Sequence, residues 1–306
     1  MVNKIEGNSN NNDKIKLSEY NNFYSYEINS SIEFDCKEKK SDWQVIVLLA
    51  NEINLLLTKI KIPPKNNSQN ILDEAHHQLI ENKNIFNLVG QLKFIDLGKI
   101  KLFKERMCFW LNCFNYLLLF TFFYKKWNIS TEKEWKNFFK KVNYKIGGNL
   151  YSFHDMLYIL YKRILFFPSS YKIKENLKKM RVNKAEDAKT IEKNNPLLYN
   201  PFMVYVPIKD FIQPIIYDQL KLEEQSNQRI KEYLNTFISI DNKNNIIMPE
   251  LLINYVPNFL DKEYKKFQSF IEPSVFEIIK NKKFKSSIQR DFEWKLDFEN
   301  LFNNSN

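Results

Sequence analysis

One apolar segment limits what this chain can fold into more than any other feature. Residues 107–124 read MCFWLNCFNYLLLFTFFY, flanked by basic residues and interrupted by two amides, Asn112 and Asn115. Its length is at the lower limit for crossing a bilayer, and amides are unfavourable near a bilayer centre. The segment therefore predicts a long helix buried at the centre of a folded domain, rather than a membrane span.

Glycine is scarce, with five residues among 306, whereas 44% of the residues are hydrophobic and 15% aromatic. This hydrophobic content is typical of a folded core. Glycine-rich phosphate loops need backbone that approaches a ligand closely or takes positive φ. None of the five glycines begins a Walker-type or dinucleotide-binding pattern. We predict that the protein uses no cofactor.

The basic character of the chain has a simple explanation. Its net charge is +10, but Lys and Asn occur together in runs, and both have A/T-rich codons. We interpret this as the codon bias of an A/T-rich protist genome. A nucleic-acid-associated protein stays open as an alternative, although no zinc finger, RNA-recognition or OB-fold motif supports it.

The cysteines indicate a reducing compartment. Cys36, Cys108 and Cys113 are odd in number and lack CxxC spacing, which argues against a disulfide framework or a zinc site. The adjacent pair His76-His77 cannot grip one metal with helical i, i+4 geometry, and we predict no metal site. The first twenty residues have no apolar signal core. We therefore expect a cytoplasmic protein.

Periodicity predicts a predominantly helical α+β fold with a central buried helix and a small sheet. We predict a flexible Asn/Lys-rich tail over 1–40 and a single domain over 41–306. The predicted helices lie between Ser41 and Pro63 and at 71–83, 84–95, 101–126, 132–141, 153 onward, 218–238, 250–256, 261–270 and 273–281. Capping boxes are predicted at Thr131/Glu134 and Ser152/Asp155.

The remaining segments predict strands and surface structure. A hairpin over 144–152 should turn at Gly147-Gly148-Asn149, and 201–208 and 244–249 read as buried strands. The helix at 218–238 is expected to bury Leu220, Ile230, Leu234 and Phe237. We interpret 169–195 as a solvated helix or an excursion on the surface, and 292–302 as an aromatic segment packed back onto the domain.

The segment KERMCFWLNCFNYLLLF (104–120) resembles the phrase E-K-x-A-F-W-I-N-x-Y-N-A-L, which opens the central helix in the domain of unknown function 547 family. The matching residues are Glu105, Phe109, Trp110, Asn112 and Asn115. Phe114 replaces the family's Tyr, and Tyr116 replaces its small Ala.

Two further segments resemble the family in the expected order. NYKIGGNLYSFHDMLYILYKRIL (143–165) is similar to Y-x-I-G-G-x-x-[FY]-S-L-x-D-I-E-H-x-I-L-R, and KNNIIMPELLINYVPNFL (243–260) is similar to K-L-x-V-P-K-x-L of plant leucine-zipper ternary-complex-factor-like proteins. The residues matched in the first are Tyr144, Ile146, Gly147, Gly148, Ser152 and Asp155. The resemblance covers most of 80–302.

The departures from the family bear on function. Leu157 and Tyr158 replace the family's Glu-His pair. The family's polar phrase H-F-A-L-x-C-G-S-x-S-C-P falls on MVYVPIKDFIQP (203–214), which contains no His, Cys, Ser or Gly. Acyl or thiol chemistry needs a nucleophile, a base and small residues that give access. The resemblance therefore implies a retained framework with a lost site, that is, a pseudoenzyme filled by bulky apolar groups.

One candidate for surviving chemistry is a Cys113/His154 dyad. His154 lies next to Asp155 at a predicted helix start and could approach Cys113 in the fold. A mid-helix cysteine lacks the environment that lowers a thiol pKa, and Asp155 fits a helix-start residue better than a general base. Buried Asn112 and Asn115 should hydrogen-bond the backbone of neighbouring loops, such as the Gly147-Gly148 turn.

The sequence thus favours a non-catalytic protein-binding or structural subunit of a larger intracellular assembly, for which we hypothesise a cytoskeletal or ciliary context. The alternative from another class is a divergent thiol-type hydrolase or transferase using Cys113 and His154. Protein partners are expected. An acidic surface could also contact five basic side chains of the excursion: Lys172, Lys174, Lys178, Lys179 and Arg181.

Overall fold

The structure, a computed structural model, describes residues 26–29, 32, 44–60, 68–161, 200–209, 211–256, 259–261, 263–290, 293, 295–298 and 301. Most of the predicted tail lies outside these residues, as does the predicted excursion with its five basic side chains. The described residues form a predominantly helical α+β fold, as predicted.

The described α-helices follow the predicted order, with ends shifted by a few residues. They are α1 (Gln44–Lys59), α2 (Ser68–Glu81), α3 (Lys83–Gln91), α4 (Phe103–Lys125), α5 (Glu132–Lys141), α6 (Phe153–Tyr161), α7 (Leu222–Phe237), α8 (Glu250–Tyr255) and α9 (Pro273–Lys280). Both predicted capping boxes form. Thr131 accepts from the Glu134 N–H at 3.3 Å, and Ser152 accepts from the Asp155 N–H at 3.1 Å.

Helix α4 is the predicted buried central helix. Its length and composition would allow it to cross a membrane, but 94% of its most apolar window is buried inside the fold. Helices α1, α2 and α6 all pack against it. Because neighbours surround it, the helix is apolar on every side, which is typical of a helix in the middle of a core. At its start, the Glu105 carboxylate accepts from the Leu102 N–H at 3.4 Å.

The described strands form two three-stranded sheets, each mixing one parallel and one antiparallel pair. The strands are β1 (Tyr26–Glu27), β2 (Val142–Ile146), β3 (Asn149–Ser152), β4 (Ser239–Ile240), β5 (Ile246–Pro249) and β6 (Ser287–Arg290). The spatial orders are β1-β2-β3 and β4-β5-β6, with β1 parallel to β2 and β6 parallel to β5. The predicted hairpin is β2-β3, and the predicted strand at 244–249 is β5.

The hairpin turns at Gly147-Gly148, and both glycines have positive φ, at 54° and 80°. A two-residue turn with both φ values positive matches the right-handed twist of a hairpin. The turn also docks on the 3₁₀ helix Leu92–Phe94, which directly follows α3: Gly147 N–H donates to the Leu92 carbonyl at 2.9 Å, and Gly148 N–H donates to the Lys93 carbonyl at 3.0 Å. A Cβ on Gly147 would lie 2.7 Å from the Ile95 carbonyl oxygen, so this position has no room for a side chain.

Residues 26–29, within the range predicted as a tail, form part of the fold. Strand β1 pairs with β2, and the buried Asn29 amide continues the pairing. Its Nδ2 donates to the Lys145 carbonyl at 3.0 Å, and its Oδ1 accepts from the Lys145 N–H at 2.9 Å. A two-residue strand gives too short an apolar alternation to be recognised in an Asn-rich stretch.

Three further predictions need correction. Segment 201–208 is not a strand: it begins with a 3₁₀ turn at Pro201–Met203 and continues without a ladder partner. The helix predicted at 261–270 is a 3₁₀ helix, Glu263–Phe267, whose buried Tyr264 and Phe267 follow its three-residue period. Leu220 is 88% exposed because it precedes α7, whereas Ile230, Leu234 and Phe237 are buried as predicted.

The described part of the aromatic tail packs back as predicted. Leu296 N–H donates to the Ile129 carbonyl at 3.2 Å, and Asp297 N–H donates to the Pro207 carbonyl at 2.8 Å. The buried Phe298 ring lies about 6 Å from the rings of Phe122 and Phe123 on α4. This contact closes the core over the C-terminal part of α4.

Candidate functional site

The family's polar phrase falls on a buried segment between α4 and α7. Residues 200–206, 208, 211, 212, 214 and 217 are all buried, although the described residues of 204–217 belong to neither helix nor strand. Buried backbone without regular structure must find hydrogen-bond partners elsewhere. These partners are side chains of the two flanking helices.

Helix α4 supplies two of the partners. Asn112 Nδ2 donates to the Tyr217 carbonyl at 3.0 Å, and its Oδ1 accepts from the Tyr217 N–H at 2.9 Å. Asn115 Nδ2 donates to the Met203 carbonyl at 3.1 Å, and its Oδ1 accepts from the Tyr205 N–H at 2.8 Å. We call such a pairing, in which one amide bonds a backbone carbonyl and a backbone N–H of one segment, an amide clasp.

The prediction that these amides bond the backbone of neighbouring loops is confirmed, but the suggested loop is wrong. The partner is the segment 203–217 and not the Gly147-Gly148 turn, which is already held by the 3₁₀ helix that follows α3. A hydroxyl adds to the same framework: Tyr217 Oη donates to the Met203 carbonyl at 2.8 Å. The two ends of the segment are thereby joined to each other and to α4.

Helix α7 holds the other side of the segment. The buried Arg229 guanidinium donates to the carbonyls of Ile212 and Gln213, and to the half-buried Glu232 carboxylate at 3.1 Å. Gln225 forms a further amide clasp: its Nε2 donates to the Ile216 carbonyl at 2.8 Å and its Oε1 accepts from the Asp218 N–H at 3.0 Å.

The side chains of the segment fill the space beneath it. The bulky apolar groups Met203, Val204, Val206, Ile208, Phe211 and Ile212 are buried. Lys209, aligned with the family's small residues, points outward and pairs with Glu293 at 2.6 Å. Apolar groups therefore occupy the region where the family phrase carries polar and small residues, so the segment acts here as a packed framework.

Cys113 and His154 lie on α4 and α6, which pack together, and both are fully buried. Burial raises the pKa of the Cys113 thiol well above its usual value. Burial, reinforced by Lys140, lowers the pKa of His154 to about 4, although Asp155 opposes this effect. The thiol is therefore protonated and the imidazole neutral near pH 7, whereas nucleophilic thiol chemistry uses the thiolate.

The remaining motif residues support the framework. Asp155 caps α6, accepting from the Ser152 N–H at 2.8 Å, in agreement with its interpretation as a helix-start residue. Tyr144 Oη lies 2.7 Å from the Thr121 hydroxyl and ties β2 to α4. Trp110 packs its ring 4.9 Å from Tyr151 of β3, and Phe109 packs edge-on against Trp110 at 5.0 Å.

Metal-binding geometry does not arise in the described part of the chain. Groups of three or more His, Cys, Asp or Glu side chains placed to hold an ion are absent there. His76 Nδ1 lies 3.0 Å from the Phe123 carbonyl, and His77 lies 3.7 Å from Glu81 on the exposed face of α2.

Arg229, Gln225 and Tyr217 were not predicted from the sequence as parts of this site. One signal was present: Arg229 lies on the stripe that also buries Ser226, Ile230 and Tyr233. A basic residue on an apolar stripe must find buried partners. Which carbonyls it bonds depends on the position of a segment that no sequence pattern indicates.

Fold and site together define a helical α+β domain in which side chains of α4 and α7 hold a buried connecting segment in place. Residues 99–234 match the model of the family described as "Protein of unknown function, DUF547", and this match supports membership of that family. The match spans α4, the hairpin, α6, the clasped segment and most of α7. No curated protein and no solved structure matches the chain. The similarity to plant leucine-zipper proteins stays a prediction.

Proposed function

We propose that the protein is a non-catalytic protein-binding or structural subunit of a larger intracellular assembly. The observation that carries the proposal is the packing of 203–214, the segment aligned with the family's polar phrase. Its buried side chains are bulky and apolar, and its backbone is held from α4 and α7. Because this segment forms part of the core, we favour a function that is carried out by the outer surface of the protein.

The state of the candidate dyad also favours this proposal. A thiol protease or transferase needs a thiolate that substrate can reach. Burial of Cys113 favours the protonated thiol and leaves no exposed surface on it. His154, neutral at pH 7 and stacked 6.3 Å from the Phe139 ring, contributes to the core in the same way.

We further propose a cytoplasmic location, with a cytoskeletal or ciliary assembly as the context to examine first. Native size fractionation of a lysate of the source cells, with the protein followed by mass spectrometry, tests the assembly. We expect elution far above the chain's own 37.0 kDa, together with a constant set of neighbours. Elution at the size of the single chain would contradict the proposal.

Thiol labelling tests the rival reading. A thiol-reactive probe should modify Cys113 in the native protein more slowly than a free thiol, and at the free-thiol rate in denaturant. Cys108→Ser is the matched control, because Cys108 is buried on the same helix. Rapid native labelling that disappears in Cys113→Ser but persists in Cys108→Ser would favour the thiol enzyme and count against a non-catalytic role.

A further inference from the structure

A groove of about 700 Å³ runs along the outer side of α7. One wall carries Ile215, from the clasped segment, and another carries Phe270, from the turn after the 3₁₀ helix Glu263–Phe267. The charged and polar lining includes Lys221, the residue just before α7, and Glu224, Gln228 and Lys231 of the helix. This volume lies within the range typical of ligand-binding clefts, roughly 300–1,000 Å³.

Both walls are fixed to α7 by amide clasps. Gln225 holds the backbone at Ile216 and Asp218 on one side. On the other side, Asn235 Nδ2 donates to the Phe270 carbonyl at 3.0 Å, and its Oδ1 accepts from the Glu272 N–H at 2.8 Å. The two clasps are ten residues apart on one helix, or about 15 Å. The groove is therefore preformed, which lowers the entropic cost of binding a partner.

The lining offers two positive ends around an apolar middle. Lys221 and Lys231 form no ion pair with any described residue, whereas neighbouring Glu223 pairs with Lys104 at 2.8 Å. Ile215 and Phe270 are only half-buried against the core, which leaves apolar surface facing the groove. Glu224 lies between the two lysines along the helix. A carboxylate is thus favoured at each end of the groove and disfavoured at its centre.

We propose that this groove binds an extended segment of a partner protein with the pattern acidic–x–apolar–x–acidic. This inference rests on the protein-binding function proposed above and names the chemistry of one partner. Lys221 and Lys231 are about 15 Å apart along the helix axis. In an extended chain, residues i, i+2 and i+4 share a face and span about 13 Å, and the flexible lysine stems close the difference. The two acidic residues then meet the lysines, and the apolar residue packs on Ile215 and Phe270.

Amide-resolved NMR titration of the purified chain with a Ser-Glu-Ser-Leu-Ser-Glu-Ser peptide tests the proposal. We expect a dissociation constant on the order of 1 mM or lower. Shifts should concentrate at Phe270 and at the side-chain amides of Asn227 and Gln228, which line the groove. Peptides with Gln in place of both Glu residues, or Ser in place of Leu, should bind more weakly.

Charge reversal gives the sharper measurement. Lys221→Glu/Lys231→Glu should lower the affinity for the acidic peptide by about tenfold or more, because two attractions become repulsions. The same variant should gain affinity for Ser-Lys-Ser-Leu-Ser-Lys-Ser. Lys99→Glu/Lys133→Glu changes the net charge equally at exposed positions outside the groove and should leave both affinities unchanged.

Several outcomes would overturn the inference: equal loss in both double variants, shifts that map elsewhere, or stronger binding of poly(U) RNA at the same lysines. A second copy of the chain as occupant would show as concentration-dependent shifts without peptide, and would also overturn it. Failure here is distinguishable from failure of the proposed function. If the large assembly persists in Lys221→Glu/Lys231→Glu and the acidic peptide does not bind the unaltered protein, the proposed function stands and the groove proposal is wrong. If the unaltered protein elutes as a single chain, the proposed function itself is wrong.

Discussion

Two neighbouring regions of this protein satisfy the hydrogen-bonding groups of their backbone in different ways. The hairpin 142–152 and the segment 200–218 both lie in the family match and both contact α4. The hairpin satisfies most of its backbone with a ladder of four residue pairs, from Asn143↔Ser152 to Ile146↔Asn149, and Lys145 also bonds a side-chain amide, that of Asn29. The segment 200–218 has no ladder, and its backbone bonds side chains of α4 and α7 instead.

The difference decides where stability depends on individual side chains. A ladder is made of main-chain groups that every non-proline residue carries, so most substitutions leave it intact. A clasp is made of one amide, and its loss leaves a buried carbonyl and a buried N–H without partners. Each unsatisfied buried group costs about 1–3 kcal/mol. The clasped segment should therefore tolerate substitution at its anchors far less well than the hairpin does.

The largest expected effect comes from removing a clasp. Asn112→Leu keeps a similar volume but leaves the N–H and carbonyl of Tyr217 unpaired in the core. We expect a loss of about 4 kcal/mol in the free energy of unfolding, measured by urea denaturation. Hydrogen exchange should accelerate over 203–217 and not over 142–152.

Lys145→Ala is the matched control, because it truncates an exposed side chain of β2 and leaves its ladder bonds in place. A change within about 0.5 kcal/mol is expected there. If Asn112→Leu and Lys145→Ala had equal effects, the proposed division between clasped and laddered backbone would be wrong.

The same difference explains how much the sequence could predict. The hairpin was predictable because the Gly147-Gly148 pair allows positive φ at both turn positions, and α4 was predictable from one long apolar run. Capping boxes such as Ser152/Asp155 are local patterns within four residues. All of these signals lie close together in the sequence.

Residues 201–208, the first part of the clasped segment, were predicted as a strand because their apolar residues are typical of one. Its actual partners lie far away: Asn112 and Tyr217 are separated by 105 residues, and Asn115 and Met203 by 88. Buried amides need hydrogen-bond partners, so backbone partners for Asn112 and Asn115 could be expected. No local pattern specifies which loop supplies them. The hydrogen bonds of Asn29 were not predicted for the same reason, because Asn29 and its partner Lys145 are separated by 116 residues.

We expect acidification to destabilise the two regions to different extents, because buried His154 lies on α6, directly after the hairpin. Its folded-state pKa, about 4, is below the usual 6.5 because burial penalises the charged ring. Between these values the unfolded chain binds a proton that the native protein does not, so stability is present above pH 6.5 and falls as pH drops toward 4. The expected loss is about 3 kcal/mol, measured by urea unfolding across pH.

His154→Phe removes the titrating group and should flatten this part of the pH profile. In the unaltered protein, exchange over 153–161 should increase before exchange over 203–217 does. A profile that is identical in His154→Phe would show that the pH dependence arises elsewhere, and would remove this distinction between the regions.

The hairpin turn offers a matched pair of substitutions. Gly147→Ala combines positive φ with a Cβ 2.7 Å from the Ile95 carbonyl oxygen, whereas Gly148→Ala meets nothing within 4 Å. We expect a loss of about 2–3 kcal/mol for Gly147→Ala and about 1 kcal/mol for Gly148→Ala, by urea denaturation. Equal losses would mean that backbone strain alone decides this turn and that its docking on the 3₁₀ helix that follows α3 contributes little.

The smallest expected effect lies where the hairpin passes into α6. Ser152→Ala removes the acceptor of the Asp155 N–H but leaves β3 and its pairing intact, so we expect a loss of about 1 kcal/mol. Thr131→Ala, at the exposed residue that caps α5, is the control for a cap that water can replace, and should cost less. A loss from Ser152→Ala as large as that from Asn112→Leu would add Ser152 to Asn29 as a side-chain anchor of the hairpin region. The hairpin would then depend on single polar side chains about as strongly as the segment 200–218 does, and the ladder would no longer distinguish the two regions.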